Sequence, residues 1–194
     1  MSAFFVVLGL MFLMELPDKT MIALLVMGTR ARPLMVFLGG ATAFVCQMGL
    51  AVGAGQLLTL VPHRPREVII ATLFLLGAGY LLFWPEKEEE EKGEEEGAQE
   101  HPGAPLREAL TAFGVIFISE FGDLTQIQAA NFAAKYNWLT VFAGGSLALI
   151  AISAIGAYGG KGLQKLIPMS VVRRGGGLVF LGYGIYTVYQ LVAG

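Results

Sequence analysis

The sequence predicts an all-α integral membrane protein whose six transmembrane helices form two inverted three-helix repeats. Three observations carry that prediction: a composition too apolar for a soluble core, six apolar runs of bilayer length, and an acidic motif that occurs twice. Of 194 residues, 55% are hydrophobic and 14% charged, against about 25% charged in an ordinary soluble domain. The mean hydropathy is +0.65. Net charge is −2 and there is one cysteine, which argues against a basic nucleic-acid-binding field and a disulfide scaffold. Cys46 lies in an apolar run and reads as a small buried hydrophobe.

A hydrocarbon core about 30 Å thick needs roughly 20 apolar helical residues to cross it. Runs of that kind, bounded by charge or proline, extend from Ser2 to Met27, Pro33 to Leu60, Glu67 to Trp84, Leu106 to Ala134, Trp138 to Gly160 and Met169 to Val192. The first has no basic residue ahead of its apolar stretch and carries Glu15, Asp18 and Lys19 inside it. It therefore reads as a retained helix rather than a secretory leader. Short polar breaks, including 161–168, separate the runs, and His63 and His101 fall in the loops.

Residues 85–105 hold nine glutamates with few apolar side chains. Such a segment cannot bury a face and reads as a flexible linker between an N-terminal repeat, residues 1–84, and a C-terminal repeat, residues 106–194. Lysines and arginines between the runs set the orientation. With the N-terminus outside, the inner segments hold nine of them and the outer segments three, Arg64, Arg66 and Lys135. Both termini are thus expected outside and the acidic linker in the cytoplasm.

A shift of 105 residues lays Glu15-Leu16-Pro17-Asp18-Lys19-Thr20 on Glu120-Phe121-Gly122-Asp123-Leu124-Thr125. The same shift carries Gly39-Gly40 onto Gly144-Gly145 and Leu76-Gly77 onto Leu181-Gly182. Each half contains three spans, so the second enters the membrane from the opposite side. Secondary transporters built in this way bind substrate at the midplane, where the repeats meet.

Apart from the linker-region acids, Glu86 to Glu108, and Glu67 at the mouth of the third run, four carboxylates remain: Glu15, Asp18, Glu120 and Asp123. Each costs at least about 2.5 kcal/mol at the centre of a membrane helix, so partners, protons or a cation must compensate them. Spacing i, i+3 puts each pair on one helix face. Pro17 and Gly122 interrupt the two helices between the acids and are expected to break them, adding backbone oxygens. Thr20, Thr125 and Gln126 add neutral oxygens. With no Cys or His nearby, the donor set suits a hard divalent cation: Mn²⁺, Ca²⁺ or Mg²⁺.

Two copies of a Glu-x-Gly-Asp-(Lys/Arg)-(Thr/Ser)-like motif, in two three-helix halves joined by an acidic loop, resemble the UPF0016 family of Gdt1-type cation/proton exchangers. Bacterial members of that family export manganese. The resemblance implies a multi-pass protein of the cytoplasmic membrane that exchanges a divalent cation for protons and holds no resident cofactor. It also implies that Glu15, Asp18, Glu120 and Asp123 bind the cation, with Thr20, Thr125 and Gln126 nearby. Two positions depart from the family pattern: Pro17 stands in place of Gly and Leu124 in place of a basic residue. Lys19 is then the only basic residue in either motif. It is expected either to occupy the site as a tethered cation when metal leaves, or to snorkel or pair with one acid.

Competing readings are weaker. A Ca²⁺/H⁺ exchanger uses the same residues and differs only in selectivity. A channel fits paired inverted motifs less well than alternating access. An intramembrane aspartyl protease would need two aspartates sharing a proton, but Glu120 stands where its first motif glycine belongs. No enzyme is therefore expected. Gln47, Gln128 and Asn131 read as polar locks between helices in preference to the lining of a pathway, and Gly49-x-x-x-Gly53, Gly77-x-Gly79 and Gly182-x-Gly184 as packing surface. Oligomeric state leaves no mark on the sequence.

Overall fold

A computed structural model describes residues 2–16, 18–83, 86–98, 103–166 and 169–193. The described chain is all-helical. In order, the helices are α1 (Ser2–Glu15), α2 (Lys19–Arg30), α3 (Pro33–Leu58), α4 (His63–Phe83), α5 (Glu86–Gly97), α6 (Pro105–Ser119), α7 (Leu124–Lys135), α8 (Trp138–Leu166) and α9 (Met169–Ala193). Moving α1 to α4 by 105 residues places their starts within two residues of those of α6 to α9.

Both motif-bearing runs are broken, as their sequences predict. The first is divided into α1 and α2 and the fourth into α6 and α7, so each acidic motif sits where one half-helix stops and the next begins. Pro17 lies outside the described residues. The second break carries the chain's positive-φ glycine among the described residues, Gly122 at φ +80°. An L side chain reaches that region only with strain, which explains why this turn needs glycine.

α3 packs against α6 and α7, α8 against α1 and α2, and α4 against α9. The motif breaks are therefore held between the two long central helices, α3 and α8. At the crossing of α3 with α7, a Cβ on Gly55 would fall 2.3 Å from the carbonyl oxygen of Ala130, so glycine is what permits the two backbones to approach. Gly49 and Gly53, the glycines read as a packing face, have little or nothing within contact distance, and Gly79 and Gly182 also face open space, whereas a Cβ on Gly184 would fall 2.8 Å from Leu75, as the packing reading expects. Pattern alone picked the wrong face of α3. Met11, Met21, Leu24, Phe44, Met48, Phe74, Ile116 and Phe132 fill the interior.

Four further expectations change. Residues 86–97 form α5 rather than a flexible loop, and α5 lies along α2, with Gly93 against Lys19 and Ile22 and Gly97 against Ala23 and Val26. Glutamate and lysine are strong helix formers, and a glycine edge lets even so polar a helix dock closely. Glu108 lies in α6, within the run expected from Leu106. It is buried, and its carboxylate accepts from the backbone N–H groups of Arg32 and Gly103 at 3.1 Å each. α8 continues to Leu166, through most of the stretch read as a turn. His63 opens α4 instead of lying in a loop, and His101 lies outside the described residues. Cys46 is exposed, because it points away from the α3 face that carries Ala43, Phe44, Gln47 and Met48.

Among the described residues, Pro33–Leu58 and Trp138–Gly159 are long and apolar enough to cross a membrane, and Ala3–Glu15 is a shorter apolar helix.

Candidate metal centre

The two breaks share one local geometry. The amide of Asp18 donates to the carbonyl of Glu15 at 3.1 Å, and that of Asp123 to the carbonyl of Glu120 at 3.2 Å. Each aspartate then accepts the first backbone bond of the half-helix it precedes, from Ile22 at 3.4 Å and Ile127 at 3.1 Å. In the first motif the tight turn brings the glutamate and the aspartate into one cluster. The two turns also place both aspartates at helix N-termini, where unpaired N–H groups and the helix dipole favour negative charge. Asp18 occupies the N-cap of α2 yet does not cap it with its side chain.

That carboxylate faces the opposite motif instead. Carboxylate oxygens of Glu15, Asp18 and Glu120 all lie within 4.8 Å of one another. Glu15 and Glu120 are fully or almost fully buried. Thr20 donates its hydroxyl to Glu15 and, at 3.0 Å, to Asp18. Thr125 of the other half donates to the second oxygen of Glu15 at 2.9 Å. The predicted threonines thus reach the cluster, but as donors that bridge the halves through Glu15.

Asp123 takes another role. Its carboxylate accepts from Lys19 Nζ at 3.0 Å, so the single lysine of the two motifs ties one half to the other. The structure joins three of the four carboxylates in one cluster and holds the fourth beside it in an ion pair. Gln126 does not point at the carboxylates. Its side-chain oxygen accepts from the Gly122 amide at 2.8 Å, and its nitrogen donates to Gln47, which in turn donates to the carbonyl of Phe117. Gln47 and Gln126 form a clamp that fixes the α6–α7 break against α3. They line, with Glu120, Thr125, Met11 and Met48, a cavity of about 10 Å³ beside the cluster.

Two features make this cluster a candidate cation site. Glu120 Oε1 is buried without a hydrogen-bond partner among the described residues, a costly arrangement for a carboxylate oxygen unless a charged ligand meets it. And at the 4.8 Å separation two full negative charges repel by about 3.5 kcal/mol even at an effective dielectric of about 20.

Comparison with known proteins agrees with this chemistry. The family model "Divalent cation/proton antiporter GDT1" matches residues 3–90 and 108–194, which includes both motifs and both broken helix pairs. The chain belongs to the GDT1 family. The protein is thus a member of a family of membrane transporters that exchange divalent cations for protons, and not an enzyme. Among its relatives, GDT1-like protein sll0615 of Synechocystis sp. is 28% identical, with 100% of each chain covered. GDT1-like protein 5 of Arabidopsis thaliana is 26% identical over 93% of this chain and 92% of the relative. GDT1-like protein 3 of Oryza sativa subsp. indica is 26% identical over 97% of this chain and 74% of the relative. No solved structure matches.

Two features of the site depend on partners that no local sequence signal identifies. Gln47, read from the sequence as a polar lock between helices, does tie α3 to the α6–α7 break, but its partner Gln126 lies 79 residues away in the chain. Lys19 carried a signal, being a lone basic residue among buried acids, but its partner is known only from the crossing of the two halves.

Proposed function

We propose that this chain exports Mn²⁺ across the cytoplasmic membrane in exchange for protons. Residues 1–84 and 106–194 act as inverted three-span repeats around one midplane site, with both termini outside and 85–105 on the cytoplasmic side. The cation is cargo, and no resident cofactor takes part. The observation that carries the reading is the convergence of Glu15, Asp18 and Glu120, from both halves, within 4.8 Å. Exposed Phe5, Leu57, Leu76, Leu147, Leu178 and Tyr189 give the molecule the apolar perimeter that a bilayer-embedded protein needs.

The cycle follows from charge. Four ionised carboxylates and Lys19 sum to −3, and a divalent cation brings the site to −1. When the cation departs, that much negative charge cannot remain in a low-dielectric site, so protons replace it. Rocking of one repeat against the other then exposes alternate sides of the same residues. Glu15, Asp18 and Glu120 bind the cation. Asp123 is held by Lys19 and joins when that pair opens, and Thr20 and Thr125 orient Glu15.

A Ca²⁺/H⁺ exchanger is the second reading, favoured by the oxygen-only donors. The compact three-carboxylate cluster suits the smaller ion better, because Ca²⁺ takes six to eight oxygens at 2.3–2.6 Å. The deciding experiment is proton flux in proteoliposomes driven by Mn²⁺ or Ca²⁺ gradients. Asp18→Asn and Glu120→Gln are expected to abolish it, with Mn²⁺ outcompeting Ca²⁺ in the parent protein. Unchanged flux in both variants would overturn the site assignment, and preferred Ca²⁺ transport would select the second reading.

A further inference from the structure

Polar residues continue along α7 beyond the metal centre. Thr125 touches Glu15; one turn on, buried Gln128 donates to the carbonyl of Leu73 on α4 at 2.8 Å and accepts from buried Asn131 at 3.1 Å. Asn131 Oδ1 is buried without a hydrogen-bond partner among the described residues. At the end of α7, Lys135 Nζ lies 3.9 Å from Glu67 Oε2 of α4, too far for a hydrogen bond, and neither atom has one among the described residues. From Thr125 to Lys135 is ten residues, or about 15 Å of helix. That is half the thickness of a hydrocarbon core, so the series reaches from a midplane site to the outer boundary.

The other half has no such series. Shifted by 105, Gln128 and Asn131 fall on Ala23 and Val26 of α2, and Glu67 has Val172 as its counterpart. A helix in that place therefore folds and packs without amides, and the tie that Gln128 makes to α4 leaves Asn131 Oδ1 and Glu67 Oε2 without a structural role. A loosely joined buried pair is also a poor stabiliser, since apolar residues of similar size usually do as well.

We propose that Glu67, with Lys135 as its counter-charge, is the outer proton-exchange residue of the transporter, joined to Glu15 by the polar face of α7. The inference rests on the exchange reading and on its N-out orientation. Glu67 takes a proton from the outer solution, and Lys135 balances the carboxylate when the proton leaves for the metal centre. Other ionisable groups around the pair are Arg66, next to Glu67 on α4, Tyr136 just beyond α7, and Tyr183 and Tyr186 on α9. Lys135 Nζ sits 5.0 Å and 5.9 Å from the two α9 ring centroids, and the Tyr136 and Tyr183 hydroxyls are 2.8 Å apart. The rings hold the ammonium when Glu67 is protonated.

The test compares Mn²⁺-driven proton flux of the full chain in proteoliposomes over a range of outer pH, together with equilibrium Mn²⁺ binding to the purified protein. Glu67→Gln is expected to lower flux about tenfold and to flatten its dependence on outer pH, leaving Mn²⁺ binding within about twofold. Glu67→Asp is expected to keep most of the flux. The exchanged pair Glu67→Lys with Lys135→Glu is expected not to restore it. If Glu67→Gln does not purify as a folded protein, Glu67→Gln with Lys135→Met removes both charges and is read by the same comparison. Unchanged flux in the neutral variant, a parallel loss of Mn²⁺ binding, or rescue by the exchanged pair would overturn the proposal, the last by making the pair a structural tie. Failure of the exchange reading itself is distinct, because the parent protein would then move Mn²⁺ without protons.

Discussion

Lys19 at the first turn of α2 donates to Asp123, 3.0 Å away at the start of α7, so one lysine bridges the two broken helix pairs. The corresponding place in the second half is Leu124. The two motifs therefore cannot form matching ion pairs, and the site is asymmetric: three carboxylates share a cluster while the fourth is neutralised.

Lys19→Gln removes that neutralisation and leaves Asp123 facing the cluster with no ammonium. With both side chains mostly buried, the variant should lose about 2 kcal/mol of stability in metal-free detergent solution. Saturating Mn²⁺ should restore most of the loss, since a divalent cation supplies the missing positive charge. Thermal unfolding with and without Mn²⁺ checks this. A metal-induced stabilisation no larger than that of the parent would show that Lys19 does not share the field of the site.

Thr125→Val takes the hydroxyl from Glu15 and leaves that oxygen buried without its donor from the other half. The expected cost is about 1–3 kcal/mol of cation affinity, read as a rise in Kd for Mn²⁺ by one to two orders of magnitude. Thr125→Ser should recover most of it, which separates the hydrogen bond from the methyl packing.

Gly122→Ala tests the backbone at the second break. An added Cβ meets nothing within 4 Å, so any loss comes from the left-handed conformation and not from a clash. A destabilisation of about 1–2 kcal/mol is expected, with Gly122→Asn milder because Asn tolerates that region. Chemical denaturation of the two variants beside the parent gives the comparison.

What the sequence discloses and what it hides divide along one physical line. The doubled motif, the break within each motif-bearing helix and the starts of α3, α8 and α9 follow from local composition and spacing, and Glu15, Asp18 and Glu120 do come together. Features decided by contact between distant elements were not legible. Helix α5 owes its place to a glycine edge against α2, which the run of glutamates conceals. Glu67 sits at the start of an apolar run, where a charge looks like a solvated boundary marker, and only α7 crossing α4 reveals Lys135 beside it. Likewise Cys46 lies in an apolar stretch, but the face of α3 that turns inward is set by its neighbours.

Substitutions at Gln126 and Glu120 distinguish a clamp from a proposed ligand. Gln126 spends its oxygen on the Gly122 amide and its nitrogen on Gln47, so Gln126→Leu should unfasten the α6–α7 break and lower stability by about 1–2 kcal/mol. The number of oxygens around bound Mn²⁺, measured by X-ray absorption, should not change. Glu120→Gln removes a charge whose buried oxygen has no partner among the described residues. It should weaken Mn²⁺ binding at least about a hundredfold, because a charged hydrogen-bonding or ligating group is worth about 3 kcal/mol or more in such a site, while the metal-free protein becomes more stable as repulsion with Glu15 and Asp18 falls. A Gln126→Leu protein with one oxygen fewer around Mn²⁺ would instead make Gln126 a ligand.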